Sequence, residues 1–96
     1  MGKRGFCFLV VLVFVSLGLS GCYYFSAKSE IKTAEMRYME LKGAGGAEKV
    51  PYEYCSAEKF LEISRKEFDE NDFKTAKGYA TRSKSASEAG LAEVKK

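Results

Sequence analysis

Apolar and polar positions along the chain fall into four blocks. Residues 6–15 are an unbroken apolar run, FCFLVVLVFV, behind a short leader that carries Lys3 and Arg4. The pattern then becomes periodic. Tyr24, Ala27, Ile31, Ala34, Tyr38 and Leu41 alternate steps of three and four, with Lys28, Glu30, Lys32, Glu35 and Arg37 between them. That spacing predicts a helix with one apolar stripe. Gly43-Ala44-Gly45-Gly46 ends it, because glycine loses the most backbone entropy when ordered, and 43–50 reads as a flexible linker. Pro51 suits the first turn of a second helix, where its missing N–H costs nothing. Tyr54, Ala57, Leu61, Ser64 and Phe68 form the stripe of that helix, widened by Phe60, and Glu62, Lys66 and Glu70 stand four apart on a solvated face. Asn71-Asp72 interrupts the pattern, with Asp72 a good N-cap for a third helix carrying Phe73, Ala76, Ala80, Ser83 and Ser87. So short a link folds helices two and three back on each other, antiparallel. Their small residues allow close approach, and Gly90 is expected to end helix three and leave a frayed tail.

The amino-terminal block has the layout of a secretory signal: basic leader, apolar run, then small residues. The run is shorter than the roughly 20 residues of a membrane-spanning helix. It closes on Leu19-Ser20-Gly21-Cys22, which resembles the lipobox of bacterial lipoproteins. The resemblance implies cleavage between Gly21 and Cys22, a diacylglyceryl group on the Cys22 thiol and an acyl chain on the new amine. Ser20 and Gly21 are small enough for the chain to lie extended in a peptidase. The other reading is an uncleaved anchor with an ordinary buried Cys22, which also holds a small domain at a membrane. Each buried methylene contributes about 0.8 kcal/mol, so two or three chains make attachment stable. Tyr23, Tyr24 and Phe25 follow at once; they suit a headgroup layer or begin the helical core. Tyr23, where an Asp would retain the protein at the inner membrane, implies by resemblance to enterobacterial sorting rules an outer-membrane lipoprotein facing the periplasm.

The expected fold class is therefore all-α: a signal peptide over 1–21, a lipid-anchored tether helix over 22–42, the linker 43–50, and an antiparallel helical hairpin with a short tail over 51–96. Charge narrows the function classes. The chain has 96 residues with 16 Lys+Arg against 13 Asp+Glu, and loss of Lys3 and Arg4 with the signal leaves 14 bases against 13 acids. So balanced a chain disfavours nucleic acid as a partner. There is no histidine, so the usual general base and the commonest zinc ligand are missing. Carboxylates are spread at helical surface spacing rather than paired. No catalytic residue, metal ligand or cofactor site is expected. Of three cysteines, Cys7 leaves with the signal and Cys22 is taken by lipid, which leaves Cys55. It is read as a small sheltered residue beside Tyr54 and Ala57, with pairing to another chain as the alternative.

Pro51-Tyr52-Glu53-Tyr54, Ala57, Phe60-Leu61, Asn71-Asp72-Phe73, Ala76 and Tyr79-Ala80 resemble a family of small Gram-negative envelope proteins with an alanine-rich helical hairpin of unknown function. The Asn-Asp-Phe-x-x-Ala turn is similar to half of a tetratricopeptide repeat. The resemblance covers roughly residues 50–90, departs at Ile63-Ser64 where alanine is usual, and implies no activity. One repeat-like hairpin is too little for a solenoid groove, which needs about three repeats.

Three functions follow. The first is a non-enzymatic envelope lipoprotein that docks on a protein partner or on itself. Its contact residues would be Tyr24, Ala27, Ile31, Ala34, Tyr38 and Leu41, since helix one has no obvious partner within the hairpin. The second is a peptidoglycan tether through Lys96, because the murein lipoprotein is similar in its lipidated cysteine, heptad-like helix and terminal lysine; the glycine segment and Pro51 break the long helix of that family. The third, a lipidated enzyme, has no residues to support it.

Overall fold

In the computed structural model the backbone is described for residues 2–96 and the side chains for 7–10 and 23–96. Four helices follow in order: α1 (Gly2–Gly43), α2 (Gly46–Lys49), α3 (Pro51–Asp69) and α4 (Phe73–Val94). Among the described residues there is no strand, so the all-α expectation holds. Apart from residues 7–10, the side chains of the expected signal lie outside the described residues, and so do those of the Gly21-Cys22 cleavage point. The backbone of that segment belongs to α1, which runs unbroken into the helix expected at 22–42.

Small residues at heptad spacing dictate the packing. Ala27, Ala34 and Leu41 on α1, Ala57 and Ser64 on α3, and Ala76, Ser83 and Gly90 on α4 are all buried, each seven residues from the last. Leu61, Ala80 and Ser87 fill the interleaved positions. Repeats of seven bring helices together at shallow angles with side chains interlocked. α3 and α4 run antiparallel: Ser64 Oγ donates to the Ala76 carbonyl at 2.6 Å, and Ser83 Oγ donates to the Ala57 carbonyl at 2.7 Å. Each helix thus lends one serine to the other's backbone, and only small side chains permit that approach.

α1 closes the third side. It lies parallel to α4, with Glu30 on Lys84, Arg37 on Glu88 and Leu41 against Gly90. It is antiparallel to α3, with Tyr24 against Phe68 and Tyr38 against Tyr54. This corrects the reading of the α1 stripe as an external contact face. Ala27, Ala34 and Leu41 are fully buried within the chain, and Tyr24, Ile31 and Tyr38 are half-buried against the other two helices. A two-helix hairpin of alanines and serines buries little apolar area, so a third apolar stripe on the same chain covers it at the lowest entropic cost.

The segment 43–50 is correspondingly folded rather than a flexible linker. Gly45 takes a left-handed φ of 81°, which a side chain disfavours, and starts the single turn of α2. A Cβ on Gly46 would fall 2.5 Å from Leu41 Cγ and 2.8 Å from the Leu41 carbonyl oxygen, so glycine permits the reversal to pack on α1. Val50 is buried and Pro51 opens α3. At the other reversal Asn71 adopts φ 66°, Asp72 N–H donates to Glu67 O and Asn71 N–H to Phe68 O. These are the paired bonds of a Schellman stop. Asp72 caps α4, its side chain accepting from Thr75 N–H at 3.3 Å. α4 does not end at Gly90; it continues to Val94, and Gly90 is buried against Leu41, whose methyls would lie 3.0 Å from an added Cβ. The tail is two residues, Lys95 and Lys96.

Candidate functional site

Two ends result from this topology. At one, α1 leaves Cys22 behind and meets the α3–α4 turn. Tyr24 stacks edge-on to Phe73, with centroids 5.2 Å apart, and lies 5.4 Å from Phe68, which is 5.1 Å from Phe73. Tyr23 and Phe25 flank this cluster and are exposed, Phe25 by 70%. Lys28 Nζ sits 5.9 Å from the Tyr24 ring. Tyr24 thus packs into the helical bundle, while Tyr23 and Phe25 are exposed. At the opposite end lie Leu41, α2, Val50 and the carboxyl terminus. Lys96 pairs there with Glu93 at 3.2 Å.

Between the ends, side chains that could do chemistry are engaged in structure. The Tyr38 hydroxyl is 2.9 Å from the Tyr54 hydroxyl and 3.4 Å from Glu58 Oε2. Burial, then the hydrogen bond that Tyr38 donates to Tyr54 and the nearby Glu58 charge, push the Tyr38 phenol well above its usual range, so it stays protonated. Glu30 accepts from Lys84 Nζ at 2.9 Å and from Thr81 Oγ1 at 3.1 Å. The hydrogen bond from Lys84 holds the Glu30 carboxyl below its ordinary value, against the opposing effect of burial. Arg65 grips Glu35 Oε1 with Nε at 3.0 Å and Nη2 at 2.7 Å. Glu62 pairs with Lys59 at 3.6 Å within α3, on the solvated face expected there. The pairs that join α1 to α3 and α4, Tyr38 with Tyr54, Glu30 with Lys84 and Glu35 with Arg65, were not legible from spacing on any one helix.

Cys55 is exposed, contrary to the sheltered position expected of it. It stands two residues before Ala57, on a face of α3 that neither α1 nor α4 covers. Met36 and Met39, with Lys32, Glu35 and Glu40, line a shallow depression on the outward face of α1. Among the described residues, no group of three or more His, Cys, Asp or Glu side chains gathers as a metal cage. No helix among them is long and apolar enough to cross a membrane. Scans against protein-family models, curated proteins and solved structures find no match.

Proposed function

We propose that the chain is a non-enzymatic envelope lipoprotein: a small helical module held at a membrane by lipid on Cys22, with cleavage between Gly21 and Cys22. The observation that carries this is Leu19-Ser20-Gly21-Cys22 directly behind a basic leader and a ten-residue apolar run, 6–15. The fold supports it in one respect. Cys22 lies on α1 one residue before Tyr23, so removal of 1–21 leaves the packed stripe of α1 whole. Its place is the outer membrane, facing the periplasm, and its role is structural or in binding another envelope component. With the α1 stripe used internally, a protein partner or a second copy would meet the outer surface, where Met36 and Met39 are exposed. The test is Cys22→Ala in cells fed labelled palmitate. Label should be lost and a precursor retaining 1–21 should accumulate; equal labelling of the variant would refute the reading.

The peptidoglycan tether remains a second reading, favoured by one observation: α4 runs parallel to α1, so Lys96 lies at the end away from Cys22. Residues 22–43 rise only about 33 Å at about 1.5 Å each, a short reach for a rod to the wall. Release of the protein from boiled cell walls only after muramidase digestion, and its loss on deletion of Lys96, would favour the tether.

A further inference from the structure

We infer that the bundle stands upright on the membrane, with the α3–α4 turn and the exposed rings of Tyr23 and Phe25 seated in the phospholipid headgroup layer. The inference rests on the membrane attachment proposed above and adds an orientation and a contact surface. α1 enters the bundle from the anchor at the end where Tyr24, Phe68 and Phe73 pack together, and this packing fixes the turn beside the anchor. Tyr23 lines a surface hollow with Asn71, Asp72, Phe73 and Lys74, so one patch joins the anchor segment to the turn. The Tyr23 ring, with its hydroxyl edge, favours the membrane–water boundary, and the wholly apolar Phe25 ring gains by leaving water. The charged residues at the turn, Lys66, Glu67, Asp69, Glu70, Asp72 and Lys74, carry an acidic excess, so anionic lipid should not strengthen the seating. An uncleaved α1 would reach the bundle at this same end.

The competing arrangement lays the bundle on its side, with Phe25, Met36 and Met39 facing lipid. Those three share the helix face opposite Ala34, but Lys32 lies among them and would be carried down with them. Upright seating leaves Lys32 in water.

The chain lacks tryptophan, so single-tryptophan variants report depth cleanly. Full-length protein extracted from membranes would be reconstituted into vesicles containing lipids brominated near the headgroup, and flotation would establish attachment. The sites are Phe25→Trp, Lys74→Trp, Met39→Trp and Tyr52→Trp, all of exposed residues. Emission from Phe25→Trp and Lys74→Trp should fall several-fold more than from Met39→Trp and Tyr52→Trp. A headgroup layer is roughly 6 Å deep, whereas α3 carries Tyr52 about 25 Å from the turn. Floating protein with Lys74→Trp unquenched, or with Met39→Trp quenched as strongly as Phe25→Trp, overturns the orientation alone. Protein that does not float overturns the attachment and the orientation together.

Discussion

Ser64 and Ser83 are fully buried, and each spends its hydroxyl on a carbonyl of the facing helix. Such a bond contributes about 0.5–1.5 kcal/mol net, but the size of the residue matters more. Ser83→Ala removes only the bond and should cost about 1 kcal/mol. Ser83→Leu forces the helices apart and should cost more, about 1–3 kcal/mol or above. Urea unfolding distinguishes the two, and equal midpoints would show that the approach is not tight. Glu30 gives a pH signature. Its carboxyl is held below the ordinary value of 4.5, first by the hydrogen bond from Lys84. A carboxylate with a depressed folded-state pKa contributes stability that is present above its unfolded pKa and lost as pH falls through the folded one. Glu30→Gln should therefore lower the melting temperature at pH 7, and the difference from wild type should shrink below pH 4.5. A difference that stayed constant into acid would contradict the pairing. The effect is small, because the pair is partly open to solvent.

At the scale of elements, the stripes and the Asn71-Asp72 stop were legible because helix periodicity and cap chemistry are local. What α1 packs against was not, because that depends on how the chain turns at 43–50. A run with three glycines reads as flexible when only backbone entropy is counted. Here Gly45 supplies the left-handed φ and Gly46 the space beside Leu41, so the same residues make a tight reversal. The missed signal was in the hairpin itself: Ala57, Ser64, Ala76 and Ser83 are too small to make a core without a third layer. The exposure of Cys55 follows from the same geometry, since it stands outside the buried positions Ala57, Leu61 and Ser64. Leu41→Asp tests the docking of α1. As part of an external contact face Leu41 would tolerate the change with the fold intact. As a fully buried residue against Gly46 and Gly90, it should lose several kcal/mol. Thermal melting followed by circular dichroism should show a large fall or loss of the cooperative transition, and an unchanged melt would return the stripe to the surface.

For the whole molecule, three helices with a core of small side chains make a slender body, and the chain measures 67 × 21 × 15 Å overall. Leu41 and Leu61 are the large aliphatic side chains in its buried core. A body this thin gains little from burial, and its best-packed rings gather where α1 meets the turn. The sequence puts the proposed anchor, Cys22, at that end. The most direct measurement is the intact mass of the protein extracted from its own membranes. Lipidation at Cys22 predicts a chain of residues 22–96 heavier by a diacylglyceryl group and up to one further acyl chain, with fragmentation placing the added mass on Cys22. An unmodified chain, whether it begins at Met1 or elsewhere, would contradict it.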